Sequence, residues 1–383
     1  MSNRPHIIFA GGRTGGHMFP GLAVAHELVQ ADPLTQVTFA VSGTEYEREL
    51  VHRNRYDFLV VPTQPNSGGA RGAIKFATSQ WSGYRQASRE LDIRRPEVVV
   101  GLGSFASVPT CRAAAVKGIP LFLLVPNAVA GRATCWLAGS AQLVCAAFPE
   151  VEAQIRYACP VQITGTPVRK EIVDLASMPS LASLDDGGYQ GDWLRRLVVI
   201  GGSQGAESLN QTVPYALSHL RSRLGGWTIL HLAGPAGTEA TRDLYRKFDL
   251  PAVVMPAADD MASVLALSDL AISRAGASTL AELACAGVPS LLVPYPHAKD
   301  DHQLFNAQSL AASGGARVFD STKHGTRYDQ ELARVLFDLI TIPTLRQQMS
   351  RSIRNAARPD AAQAIAGHVR ELMARNAAVS VAA

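Results

Sequence analysis

The sequence predicts an α/β protein built from two doubly wound parallel-sheet domains. Three observations predict it. Short apolar runs alternate with helical patterns along the chain, which is the signature of parallel strands joined by crossover helices. The alternation restarts after residue 195. Each half opens on the same unit, an apolar run followed by a glycine-rich loop and a helical stretch: IIFAGGRTGGHMFP at 7–20 and LVVIGGSQGAESLN at 197–210. With 383 residues the chain is too long for one ordinary core and comfortable for two.

In the first half the strand candidates are 6–10, 37–41, 58–61, 98–101, 120–125 and 142–146, with helical stretches at 20–30, 72–90 and 105–116. In the second half they are 197–201, 228–232, 252–255, 270–273 and 289–293, with helices at 203–220, 237–247, 278–286 and 302–312. The polar segment 176–193 reads as a surface loop. The domains are expected over 1–166 and 167–345, with a last helix at 360–376.

Composition narrows the class. Apolar residues make up 47 % and charged residues 18 %, which excludes a disordered chain. A net charge of +4 gives no footprint for nucleic acid. The five cysteines, Cys111, Cys135, Cys145, Cys159 and Cys285, show no C-x-x-C spacing and read as buried thiols in a reduced compartment. The N-terminus runs straight into the first strand with no signal-peptide pattern, and no apolar run is long enough to cross a bilayer.

A strand that runs into a glycine loop and then a helix converges backbone N–H groups and a positive helix end on one point, which suits a phosphate. In GGRTGGH, Thr14 offers a hydroxyl, Pro20 fits the first turn of the helix, and His17 lies near its positive end. That end favours a neutral imidazole ready to accept a proton, so His17 is the candidate base; the plain alternative is a helix-capping histidine. In GGSQGA at 201–206, Ser203 and Gln204 are candidates for a phosphate or sugar hydroxyl. In the stretch 273–296, Gly276 opens a loop, Ser278 reads as an N-cap, and Glu282 lies one turn inside the helix, where a carboxylate can hold ribose hydroxyls. The pairs Asp259-Asp260 and Asp300-Asp301 lack further oxygen ligands and read as caps or solvated acids, so no metal and no cofactor are expected. Segment 58–89 holds Arg71, Lys75, Arg85 and Arg89, no acid, and apolar Ile74, Phe76, Trp81 and Tyr84 among them. It reads either as a basic, apolar face for an anionic membrane or as a helix whose apolar side meets the core.

Taken together, these motifs resemble the MurG family of membrane-associated peptidoglycan glycosyltransferases. The resemblance spans essentially the whole chain: GGRTGGHMFPGLAVAHEL, NAVAGRATCWLA at 127–138, GTPVR at 165–169, GGSQGAESLNQTVP at 201–214, the run 259–296 and HQLFNA at 302–307. It implies the GT-B arrangement, two Rossmann-like domains facing a cleft, with 360–376 returning to the N-terminal one. It implies inverting transfer of N-acetylglucosamine from UDP-GlcNAc to the muramoyl 4-hydroxyl of undecaprenyl-diphospho-muramoylpentapeptide (lipid I), giving lipid II at the cytoplasmic side of the inner membrane. By the same resemblance His17 is the base. Ser203 and the helix start Ala277, Ser278, Thr279, Leu280, Ala281 and Glu282 meet the diphosphate and ribose. Ala258 lies against the uracil, and His302 and Gln303 bond the sugar. Thr14, Gly15, Gly16, Asn127 and Arg169 close over the donor, and Arg71, Ile74, Lys75 and Trp81 touch the membrane. The chain departs from the family pattern at Arg13, where a glycine is usual, at Gly101–Phe105 and Leu124–Pro126, and at Thr166 and His302. A changed acceptor, a non-catalytic sugar-nucleotide binder and a UDP-GlcNAc 2-epimerase are the alternative readings.

Overall fold

A computed structural model of the chain describes residues 4–155, 159–181, 194–202, 205–323 and 328–382. It divides into two compact units, Met1–Arg169 with Asp360–Ala383, and Lys170–Pro359.

The first unit is a seven-stranded, all-parallel sheet. Its strands are β1 His6–Ala10, β2 Gln36–Val41, β3 Asp57–Val60, β4 Val98–Gly101, β5 Leu121–Val125, β6 Leu143–Ala146 and β7 Val161–Ile163, in the order β3-β2-β1-β4-β5-β6-β7. β5 is apolar throughout, and β1 is apolar after His6, because helices cover both faces. Side chains alternate along β1: Ile7 and Phe9 pack with Met18, Leu22 and Val24 of α1 (Gly15–Ala31) on one face. Ile8 and Ala10 pack on the other, with Ala87 and Leu91 of α3 (Gly69–Arg94) and Cys111 and Ala113 of α4 (Ser104–Val116). The C-terminal segment adds Ala362, Ile365, Ala366 and Val369 to the first of these faces.

Two short elements here escape the sequence reading. β7 is three residues long, half-exposed at the sheet edge, so it has no apolar run to betray it. Helix α2, Glu45–Arg53, is polar and starts on a capping box at Thr44. Helix α1 also starts earlier than expected. The Thr14 carbonyl accepts from the amides of His17 and Met18, so the helix opens at Gly15 and Pro20 lies inside it rather than in its first turn. A helix α5 covers Arg132–Leu137.

The second unit is a six-stranded parallel sheet in the same winding, β10-β9-β8-β11-β12-β13. Its strands are β8 Arg195–Ile200, β9 Trp227–Leu232, β10 Ala252–Met255, β11 Leu270–Ser273, β12 Ser290–Leu292 and β13 Ala316–Val318. After α6 (Lys170–Val173) the helices are α7 Glu207–Ser218, α8 Thr238–Lys247, α9 Met261–Ala266, α10 Ala277–Ala286, α11 His302–Ala312, α12 Tyr328–Thr341 and α13 Pro343–Asn355. One core joins Leu197 and Val199 to Leu209 and Val213 of α7, Leu332 and Leu336 of α12, and Met349 of α13. The sequence reading assigns nothing between 313 and 359; β13 is too short to read, and α12 and α13 fill that stretch. Of the polar loop expected at 176–193, residues 182–193 lie outside the described residues. The last helix, α14, runs Ala361–Ala382 and packs on α1 within the first unit. All five cysteines are free, and four are buried.

Candidate active site

In both sheets the winding reverses beside the first strand, between β1 and β4 and between β8 and β11. In open α/β sheets the loops leaving the carboxyl ends of the strands at such a reversal form the ligand crevice. The loops at those places are GGRTGGH and GLGSF in the first unit, and 201–206 and 274–276 in the second.

In the first unit, Thr14 is the extended N-cap of α1, and Gly15, Gly16 and His17 form its first turn. His17 is half-buried, with its ring against the loop after β4: a Cβ built on Gly103 would lie 3.5 Å from it and 3.9 Å from the Leu124 carbonyl oxygen. The loops after β1 and β4 thus meet at the imidazole, and Gly103 also lies beside the end of β5. Asn127 follows in the loop after β5, half-buried, and the Thr166 hydroxyl donates to the carbonyl of Pro126 at 3.4 Å. Arg169 places its guanidinium 4.8 Å from the Phe19 ring centroid. A Cβ on Gly15 would crowd that ring at 2.8 Å and the Tyr46 hydroxyl at 3.1 Å. Burial pushes the Tyr46 phenol up, and the Arg169 charge works against that rise. Thr14, Gly15, Gly16, His17 and Arg169 are therefore gathered around one helix N-terminus.

The support beneath this loop is Glu47, which the sequence reading misses. It is fully buried and takes hydrogen bonds from the Arg13 amide (2.8 Å), the Ser42 amide and hydroxyl (3.3 and 2.6 Å) and the Thr44 amide and hydroxyl (3.0 and 2.8 Å). Burial alone raises its carboxyl; those bonds outweigh it and hold the group below its ordinary 4.5. Gly12, at φ 153°, leaves the room: a Cβ there would meet Met18 Sδ at 2.5 Å and Glu47 Oε1 at 2.9 Å. The signal for Glu47 was Thr44-x-x-Glu47, the capping-box spacing.

In the second unit, Ser203 and Gln204 lie outside the described residues. Gly205, the next described residue, sits at φ 75°, and a Cβ there would fall 2.1 Å from the Ala233 carbonyl oxygen. The N-cap of α10 is Gly276 in extended conformation, which corrects Ser278; that serine is the second helical residue because the chain turns helical immediately after the glycine. Ala277, Ser278, Leu280 and Glu282 are buried, and Thr279 and Ala281 half-buried. Ala258 is half-buried in the loop between β10 and α9. The starts of α10 and α11 are tied together, since buried Asn306 donates to the Ala275 carbonyl at 3.1 Å. Gln303 accepts from the Tyr295 amide at 3.0 Å, and His302 Nδ1 lies 2.8 Å from the Lys299 carbonyl. Buried Arg274, unread in the sequence, donates to the carbonyls of Val293 and Pro294 (both 2.9 Å) and to the Ser208 hydroxyl, fastening the loop ahead of α10. Burial pulls its guanidinium down.

Of the aspartate pairs, Asp260 caps α9 through the Ser263 amide at 3.0 Å, whereas Asp301, N-cap of α11, makes no side-chain cap bond. Among the described residues no cluster of three or more histidine, cysteine or acidic side chains is placed to hold a metal. Arg71, Ile74, Lys75 and Trp81 are all exposed on α3. Ile74 is 63 % and Trp81 64 % exposed, which corrects the reading that these two face the core. Among the described residues no helix is long and apolar enough to cross a membrane.

Two parallel α/β units, each with a glycine loop and helix start at its strand reversal, define a nucleotide-sugar glycosyltransferase architecture of the GT-B type. The glycosyltransferase family 28 N-terminal domain matches residues 7–145 and the family 28 C-terminal domain matches 196–365. A relative from Rhodospirillum centenum, named UDP-N-acetylglucosamine–N-acetylmuramyl-(pentapeptide) pyrophosphoryl-undecaprenol N-acetylglucosamine transferase, is 38 % identical over 96 % of this chain and 94 % of its own length. One of the same name from Rhizobium meliloti is 36 % identical over 94 % and 93 %. The crystal structure of Acinetobacter baumannii MurG superposes with a TM-score of 0.74 at 29 % identity, covering 96 % of this chain and 99 % of that one. The chain belongs to the MurG family within glycosyltransferase family 28.

Proposed function

We propose that the chain transfers N-acetylglucosamine from UDP-GlcNAc to the muramoyl 4-hydroxyl of lipid I, forming lipid II for peptidoglycan. The His17 imidazole takes the hydroxyl proton, the oxygen attacks the anomeric carbon, and the bond from that carbon to UDP breaks with inversion. The second unit holds the donor: Glu282 on the ribose hydroxyls, Ala258 against the uracil, Ser203 and residues 277–282 at the diphosphate, His302 and Gln303 on the sugar. Thr14, Gly15, Gly16, Asn127 and Arg169 are the further UDP-GlcNAc contacts of this reading. The helix start at 277 supplies oriented N–H groups where negative charge builds on the leaving UDP. The exposed basic and apolar face of α3, with Arg71, Ile74, Lys75 and Trp81, rests on anionic lipid at the cytoplasmic surface, where the acceptor is found.

The observation that carries the reading is His17 in the first turn of α1, at the strand reversal of a chain related over 96 % of its length to a transferase of this name. Purified protein, radiolabelled UDP-GlcNAc and lipid I test it. His17→Ala should lower kcat by about 10²–10⁴ while UDP-GlcNAc still binds. An alanine variant with full activity would overturn the base assignment. A second reading keeps the donor and changes the acceptor. Arg13, in the loop ahead of His17, and Phe105, in the first turn of α4 against it, favour it. A panel of lipid and polyol acceptors separates the two, and binding without turnover on any acceptor would leave a sugar-nucleotide binder.

A further inference from the structure

Arg13 is anomalous in three ways. It is a long cationic residue in a glycine loop, its backbone is left-handed at φ 74°, and it is held at both ends. Its amide donates to the buried Glu47 carboxylate at 2.8 Å. Its guanidinium stands 5.2 Å from the centroid of the Phe105 ring, a cation–π distance. A non-glycine residue in this region of backbone space costs on the order of 1 kcal/mol, so the surrounding contacts must fix it there.

Phe105 is itself fixed from behind. Pro109 lies inside α4 and has no N–H, so the Phe105 carbonyl lacks the donor that a helix normally supplies four residues on. Gln80 of α3 fills the gap, its Nε2 donating to that carbonyl at 3.3 Å. The Phe105 ring meets Phe76 of α3 edge-on, with centroids 6.1 Å apart. The loop between β4 and α4 also touches the other members of the site. Ser104 is left-handed at φ 63°, the adjoining Gly103 lies beside the His17 ring, and a Cβ on Gly11 would strike the Gly103 carbonyl oxygen at 2.7 Å.

We propose that Arg13 and Phe105 are positioning residues: their cation–π contact locks the loop after β1 to the start of α4 and so holds His17 against Gly103. Glu47 anchors the lock on one side, and Gln80 with Phe76 on the other. The proposal rests on the transferase reading above. It assigns Arg13 and Phe105 one shared task, in which neither works without the other.

The full-length chain tests this through four variants, Arg13→Gly, Phe105→Leu, their double, and Phe105→Tyr. Transfer to lipid I, UDP binding by calorimetry, thermal melting and hydrogen exchange are measured on each. Glycine adopts φ 74° freely, so Arg13→Gly should melt close to the parent. Arg13→Gly and Phe105→Leu should each lower kcat about tenfold, since a loosened base loses alignment, with donor KM and UDP affinity within about twofold of the parent. The double variant should be no slower than the slower single one, as two halves of one contact must behave. Phe105→Tyr keeps the ring face and should retain the parent rate. Amides of 11–18 should exchange faster in Phe105→Leu. Losses that multiply in the double variant, a parent-like rate in either single one, or a tyrosine variant as slow as leucine would each overturn the proposal. If the parent chain itself transfers nothing to lipid I, the transferase reading fails; unchanged exchange of 11–18 in Phe105→Leu then overturns the lock on its own.

Discussion

Glu47 shows how one side chain ties a local signal to a distant site. Its capping box is readable from Thr44 and Glu47 alone, but its bond to the Arg13 amide spans 34 positions. Folded-state hydrogen bonds hold its carboxyl below 4.5, so between that folded value and 4.5 the unfolded chain binds more protons than the folded one. The stability it contributes is complete above about pH 4.5 and is lost as pH falls through the folded value. Glu47→Gln should therefore lower the melting temperature at pH 7, by about 1–3 kcal/mol in stability for the buried donors it leaves poorly met. The variant should also flatten the acid decline of the parent below pH 4.5. A variant that melts like the parent across that range would show that Glu47 supports nothing.

Helices and strands differ in how plainly they announce themselves. β1 and β5 are legible because burial on both faces demands the unbroken apolar runs IIFA and LFLLV. β7 and β13, three residues each at the sheet edges, are not, since pairing with one neighbour rather than composition makes them strands. Helix α3 was legible as a helix but not in its orientation. A pattern of apolar residues at helical spacing does not say which of them face the core; the structure buries Gly72, Gly83, Ala87 and Leu91 and leaves Ile74 and Trp81 outside. Trp81 stacks on Tyr84 with centroids 5.8 Å apart, so the exposed ring is held in place. Anionic vesicles should retain the protein at low salt, each basic residue near the surface contributing about 1 kcal/mol. Replacing Arg71, Lys75 and Trp81 together should release it; equal retention of the triple variant would remove α3 as the contact.

At the scale of the molecule, the chain builds the same winding twice, and the second unit carries the helix starts assigned to the donor. A ligand that binds only the folded state stabilises it by mass action, by about 2.7 kcal/mol at a hundredfold excess over its dissociation constant. UDP-GlcNAc should therefore raise the melting temperature of the parent and of His17→Ala alike. Glu282→Ala should lose most of that shift, and an undiminished shift would remove Glu282 from the ribose. The C-terminal helix belongs to the first unit, where Ile365 and Val369 complete the face that Ile7 and Phe9 begin. A truncation before residue 360 would expose that face and should destabilise the first unit more than the second.

The α/β class, both glycine loops, the place of His17 and the family are legible along the chain, because these rest on local pattern: apolar runs, glycine spacing and motif order. Long-range packing alone sets the outward face of α3 and the place of Arg13 between Glu47 and Phe105. Each of these depends on which distant residues are brought into contact and which surface is left to water, and neither is written in the spacing of neighbours along the chain.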